Sequence, residues 1–225
     1  MSLNFAVIKE LKSRYGRIRA AVNALMVVSL CLLTLPVQAA EVQKLLILGD
    51  SLTAGYGLPQ PDSFPSQLET TLKAQGLAVQ VINAGVSGDT TAGGLARLNW
   101  ALNDRPHAVI VELGANDGLR GLDPQQSEVN LAAILDRLEK EKIPVLLTGM
   151  LAPPNLGARY GKAFNGMYER LGQRDTVAFY PFFLEGVAAI PELNQADGIH
   201  PNAKGVAIIV DRILPHVKKL LVVAP

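Results

Sequence analysis

KLLILGDSLTAGYG, Lys44 to Gly57, runs an apolar stretch straight into an acid and a serine set between glycines. Lys44–Leu48 reads as a buried strand, and Gly49, Asp50 and Ser51 end it abruptly. Such an ending is either a tight turn or a nucleophile held at the mouth of a sheet. The residues at the ends of the other strands have to separate the two.

Four further apolar runs have the same character: Ala78–Ala84, Ala108–Leu113, Pro144–Met150 and Thr176–Phe179. They are rich in Val, Ile and Leu without strict alternation, as expected of strands covered on both faces. Helical patterns fall between them, at Ser66–Gly76, Pro124–Lys142, Asn155–Arg174 and Ala203–Leu220. The stripe of the second is read as Val129, Ala132, Ala133 and Leu135 through to Leu138. Asp123-Pro124 supplies its N-cap and a proline at N1. Strand–helix alternation predicts right-handed crossovers and a doubly wound parallel sheet, an α/β fold. No repeat, low-complexity linker or change of composition follows residue 40, so residues 40–225 are expected to form a single domain.

The segment before it reads differently. Lys9, Lys12, Arg14, Arg17 and Arg19 precede an apolar stretch from Val22 to Leu35, followed by Pro36-Val37-Gln38-Ala39-Ala40. A basic region, a short apolar core and small residues at −3 and −1 predict a secretory signal peptide over residues 1–39, and hence a periplasmic or secreted protein. The alternative is an uncleaved anchor, for which the core falls short of the roughly 20 residues that span a bilayer. Without residues 1–39 the chain carries 16 basic and 19 acidic residues. That balance gives no reason to expect a nucleic-acid partner. Cys31, the one cysteine, leaves with the leader. The mature protein is expected to be a monomer with no stable membrane anchor.

In an open parallel sheet, ligands bind outside the carboxyl ends of the strands. Here those ends read Gly49-Asp50-Ser51, then Asn83 to Asp89 (NAGVSGD), then Gly114 to Gly118 (GANDG). Of three histidines, His107 precedes the third strand and falls at the wrong end, and His216 lies in the last helix beside Lys218 and Lys219, expected in solvent. His200 sits in ADGIHPN, a loop before that helix, three residues after Asp197. Alone, either is an ordinary loop residue. Together the carboxylate can fix the imidazole tautomer and stabilise the imidazolium. Gly88 can offer a backbone N–H, Asn116 a side-chain N–H and Ser51 its own N–H to a tetrahedral oxyanion. The bland reading of Gly85–Gly88 and Asn116–Gly118 is two turns.

Taken together, GDSLTAGYG, NAGVSGDT, GAND and DGIHP resemble the blocks of the SGNH hydrolases, the GDSL-type esterases and lipases, over residues 44–220. GANDGLRG, FNGMYERL and PFFLEGV resemble the periplasmic acyl-CoA thioesterase I branch of that family, also described as lysophospholipase and arylesterase. The resemblance implies a three-layer α/β/α, flavodoxin-like fold and broad hydrolysis of esters and thioesters. It implies Ser51 as nucleophile, Asp197 and His200 as its relay, and Ser51, Gly88 and Asn116 as oxyanion donors. Asp50 is expected to tie down the turn rather than react, and Ser87 to be a polar turn residue. Leu119, Arg120, Gly121 and Leu122, after Asn116, are expected to form a rim touching the acyl group.

Other chemistries find less support. Ser51 lacks a G-x-S-x-G elbow, and there is no phosphate-binding G-x-x-x-x-G-K-[ST] loop, no H-E-x-x-H and no Cys/His cluster. No cofactor and no metal are expected. Two rivals remain: a carbohydrate acetyl esterase of the same fold, and a non-catalytic periplasmic binding module, which leaves Asp197 and His200 unexplained.

Overall fold

Strand β1 (Gln43–Gly49) buries Leu45 to Leu48 completely, and in the computed structural model the other four strands are arranged about it. The structure describes residues 42–224 and, ahead of them, residues 7–10, 12–16 and 19. The apolar core of the expected leader, Cys31 and the Val37–Ala40 cleavage region lie outside the described residues. Among the described residues no helix is long and apolar enough to cross a membrane. Residues 41–225 cluster as one compact unit, which holds the whole sheet.

The sheet has the order β2-β1-β3-β4-β5, all parallel, with β2 at Val79–Gly85, β3 at Ala108–Glu112, β4 at Val145–Thr148 and β5 at Val177–Tyr180. This is the flavodoxin-like order, whose switch point lies between β1 and β3. Ala108 to Val111, Leu146 and Leu147 are fully buried, as the unbroken apolar runs require. The edge strands depart from that expectation. Gln80 and Asn83 of β2 and Ala178 of β5 are exposed, because an edge strand is covered less completely than a central one.

Within residues 42–224 seven α-helices accompany the strands: α1 (Ser51–Ala54), α2 (Phe64–Ala74), α3 (Thr91–Ala101), α4 (Ala115–Leu119), α5 (Pro124–Lys140), α6 (Gly157–Leu171) and α7 (Ala203–Val223). Helices α2 and α7 pack on each other on one side, and α5 packs against both α3 and α6 on the other, which gives the three layers. The Asp123 side chain accepts from Gln125 N–H, 3.0 Å away, and Pro124 opens α5. The buried face of α5 is Ser127, Asn130, Leu131, Ile134, Leu135 and Leu138, while Val129 is exposed. The stripe read from Val129 is thus rotated. Leu131 and Ile134 belong to the i, i+3, i+4 set that reaches the core.

Register matters most for the site. Gly49 pairs with Gly85 on one side and with Glu112 on the other. The last residues of β2, β1 and β3 therefore stand in one row, and the chain leaves all three at the same height.

Candidate active site

Ser51 is the first residue of α1, so its N–H has no acceptor within the helix. Asp50 caps that helix: one carboxylate oxygen accepts from Leu52 N–H at 2.9 Å and the other from the Asn116 amide, Asn116 Nδ2 to Asp50 Oδ2 being 3.1 Å. The acid of the GDS run thereby ties the serine turn to the loop after β3. Gly49 is glycine for a steric reason. A Cβ there would lie 2.0 Å from Thr53 Oγ1 and 2.7 Å from Glu112 Oε2.

Ser51 Oγ lies 2.9 Å from His200 Nε2, and His200 Nδ1 lies 2.6 Å from Asp197 Oδ2. The other oxygen of Asp197 accepts from the N–H groups of Ile199 and His200, both at 3.0 Å. Those backbone donors, with the imidazole, hold the Asp197 carboxyl down to about 2, so it is ionised at any ordinary pH. An ionised Asp197 favours the proton on Nδ1, which leaves Nε2 to accept from the Ser51 hydroxyl.

The loop carrying this pair is stapled in place. Gln195 N–H donates to His200 C=O at 2.7 Å, and Gln195 Nε2 donates to the carbonyls of Tyr56 and Pro201. A Cβ on Gly57 would meet Gln195 Oε1 at 2.1 Å, so the last glycine of GDSLTAGYG makes room for the staple. Asn202 then caps α7 through Lys204 and Gly205 N–H. The Tyr56 ring lies against the His200 ring, centroids 4.6 Å apart. Neither contact can be read from the sequence, since each needs the loop after β1 folded against a loop some 140 residues away.

Gly88 adopts φ +85, a left-handed conformation that suits glycine. Its N–H has no backbone acceptor among the described residues. Ser51, Gly88 and Asn116 all face one cavity of about 650 Å³, whose wall is mainly apolar, with Tyr56, Leu119, Met150, Phe182 and Ile199 among its residues. Of the four rim residues expected from the sequence, Leu119 faces the cavity. Arg120 instead donates to Gly88 C=O at 2.7 Å, and Gly121 and Leu122 fall outside the lining. Leu122 is tied by its carbonyl to Tyr160 Oη at 2.8 Å. Ser87 also borders the cavity.

His107 stands at the amino end of β1, where Nδ1 accepts from Lys44 N–H at 2.9 Å. His216 is not in free solvent: it is half-buried, edge-on to Tyr180 with centroids 5.1 Å apart. No group of three or more His, Cys, Asp or Glu side chains among the described residues could hold a metal ion.

Glu112 is not legible in the sequence as part of the site. It is wholly buried beneath the serine turn, where its Oε2 accepts from Thr53 Oγ1 at 2.8 Å and from Asp50 N–H at 3.4 Å. Its Oε1 has no partner. Burial, and then the charge of Asp50, push its carboxyl well above 4.5. Burial likewise pushes Asp50 up to about 6. An acid kept neutral in the fold but free to ionise in the unfolded chain loses stability as pH rises above its unfolded value, until the folded carboxyl itself ionises. Glu112→Gln keeps an oxygen for the two donors and removes this titration. Its melting temperature relative to wild type should therefore be higher at pH 8 than at pH 5. Equal differences at both pH values would mean that Glu112 is ionised in the fold.

The family profile described as GDSL-like Lipase/Acylhydrolase matches residues 47–208, an interval that contains every residue of this site. Esterase TesA of Pseudomonas aeruginosa is 41% identical over 200 residues, 88% of this chain and 100% of that protein. The Escherichia coli protein named thioesterase 1/protease 1/lysophospholipase L1 is 40% identical over 193 residues, 85% of this chain and 91% of that protein. Among solved structures, AlinE4, described as an SGNH-hydrolase family esterase, has a TM-score of 0.69 at 48% identity, covering 82% of this chain and 99% of that chain. A family profile spanning most of the chain, together with relatives at 40% identity or more over most of their own length, shows that the chain belongs to the GDSL-like lipase/acylhydrolase family.

Proposed function

We propose that this protein hydrolyses carboxylic esters and thioesters through an acyl-enzyme on Ser51. Ser51 Oγ attacks the acyl carbon as His200 Nε2 takes its proton, and Asp197 stabilises the imidazolium. The oxyanion receives hydrogen bonds from Ser51 N–H, Gly88 N–H and Asn116 Nδ2. Collapse breaks the C–O or C–S bond, and the imidazolium returns the proton to the leaving alcohol or thiol. Water activated by the same imidazole then releases the acid. The observation that carries this reading is the unbroken relay from Asp197 through His200 to Ser51, opening on a cavity that Gly88 and Asn116 also line.

The substrates we infer are acyl-CoA thioesters, aryl esters and lysophospholipids, the acyl chain lying along the apolar wall. That wall favours a hydrocarbon chain over the acetylated sugar of the carbohydrate-esterase alternative. The basic and apolar N-terminal pattern supports a periplasmic or secreted enzyme acting after its leader is removed, which N-terminal sequencing of the exported protein would test.

Acyl length provides the test of the substrate class. Each fully buried methylene is worth about 0.8 kcal/mol, so kcat/KM should climb by up to about fourfold per added carbon until the cavity is filled. Leu119 is half exposed at its edge. Leu119→Asp should flatten the climb for long esters and spare short ones, since the relay is untouched. Parallel profiles for the two proteins, separated by a constant factor, would remove Leu119 from chain recognition. A kcat/KM highest for the acetyl ester and falling with each added carbon would favour the carbohydrate alternative.

A further inference from the structure

Arg97 lies on α3, outside the residues that any motif points to, and its guanidinium spends two donors on the two strand ends that carry the site and a third on the loop after β2. Nη1 donates to Ala84 C=O at 2.7 Å, Nη2 to Gly49 C=O at 2.8 Å and Nε to Asp89 Oδ2 at 2.6 Å. Gly49 stands two residues before Ser51, at the end of β1. Ala84 and Asp89 bracket the Gly85–Gly88 segment that leaves β2. The side chains of Arg97 and Asp89 are 17% and 18% exposed, so the cluster is largely shielded from water.

We propose that Arg97 is a positioning residue for the oxyanion hole, holding the Gly88 N–H at a fixed height relative to Ser51. The two strands end in register, Gly49 opposite Gly85, and beyond that pair the ladder can no longer align the two chains. Val86 N–H reaches back to Gly49 C=O at 3.0 Å, and Arg97 bonds that same carbonyl together with Ala84 C=O on the neighbouring strand. Its third bond, to Asp89, fixes the far side of Gly88. The planar fork suits this task, because it can reach two strands and the loop that follows one of them at once, whereas a lysine offers one compact charge.

Two glycines accommodate the clamp. A Cβ on Gly93 would come within 2.5 Å of Asp89 Oδ1, so a bare Gly93 lets the carboxylate lie against α3. A Cβ on Gly85 would lie 2.3 Å from Ala54 N, so the β2 exit packs directly on the helix that begins with Ser51. On the opposite side Arg120 holds the Gly88 carbonyl. Gly88 has no side chain of its own to fix it, and both cations act on its surroundings.

This inference rests on the hydrolase reading, and the experiment keeps the two separable. Steady-state hydrolysis of an aryl ester is measured for wild type, Arg97→Ala and Arg97→Lys, with and without guanidinium chloride well below denaturing concentrations. A displaced donor lowers kcat and leaves KM nearly unchanged, since the oxyanion bonds form at the transition state. Arg97→Ala should lose at least about 10-fold in kcat, with KM within about twofold, an expectation set by the cost of small misplacements near the chemistry. Added guanidinium should restore part of that loss in Arg97→Ala and none in Arg97→Lys, whose side chain fills the space. If Arg97→Ala does not fold, Asp89→Asn, which weakens one arm of the clamp, should lower kcat selectively instead. A kcat within twofold of wild type in folded Arg97→Ala, or in Asp89→Asn where that variant takes its place, overturns the proposal. So does a kcat loss in Arg97→Ala that guanidinium leaves unchanged, which would reduce Arg97 to a structural residue. A wild-type protein without esterase activity would instead overturn the hydrolase reading.

Discussion

Ser51→Ala is expected to abolish ester hydrolysis, by at least about 10⁴-fold in kcat, while leaving the protein folded. The size follows from the mechanism: without an oxygen at this position no acyl-enzyme forms, and the remaining donors can only bind and polarise a carbonyl that water attacks unaided. The survival of the fold follows from the local structure. Ser51 Oγ bonds to His200 Nε2, while the cap of α1 is built from Asp50 and not from the serine. Alanine is a strong helix former at the first position of α1. The melting temperature should move by no more than a few degrees, and the variant should still bind an uncleaved ester. Hydrolysis retained above a few per cent, in protein free of wild-type contamination, would eliminate Ser51 as the nucleophile. The same change in Ser87, which also borders the cavity, should cost little.

Local features are the ones legible in the sequence. The apolar run into GDS, the D-x-x-H spacing and the Asp123-Pro124 cap each contain their own geometry within a few residues, and each stands at its expected place. Helix α3 is not among the expected helices, because Gly93-Gly94 in its first turn removes the propensity signal. Both glycines are there for packing. A Cβ on Gly93 would strike Asp89 and one on Gly94 would strike Leu113. With α3 hidden, Arg97 is hidden too. Glu112 escapes for a related reason. It looks like a charged residue ending an apolar strand, and its burial follows only from the β1–β3 register, which puts it beside Gly49. Arg120 misleads by proximity in sequence: it follows Leu119 at the cavity, but at the end of α4 its side chain reaches back to Gly88. Residues that act through a partner far along the chain are therefore the ones that periodicity and motif spacing leave unmarked.

Asn116→Ala should lower kcat by about 10²–10³-fold, the loss typical of one oxyanion-hole donor, and leave KM almost where it was. The amide of Asn116 has two hydrogens. One is engaged by Asp50 Oδ2 at 3.1 Å, which orients the group and leaves the second to turn into the cavity. That division of labour gives the GDS acid its purpose. Asp50 is buried and its carboxyl is already pushed up to about 6 by that burial, with the Asn116 bond among the contacts that oppose the rise. Removing the amide strips Asp50 of this partner, so Asn116→Ala should also be less stable, by about 1–3 kcal/mol for a buried acceptor left unpaired. The two effects separate by measurement: the kinetic loss is read well below the melting temperature of the variant, where the population is folded. Asp50→Asn provides the cross-check. It can present either an oxygen to Leu52 N–H or one to the Asn116 amide, but not both, so it should reproduce part of the kcat loss while Asn116 itself is intact. An Asn116→Ala protein with wild-type kcat would assign Asn116 to the turn alone and leave the oxyanion to the two backbone donors.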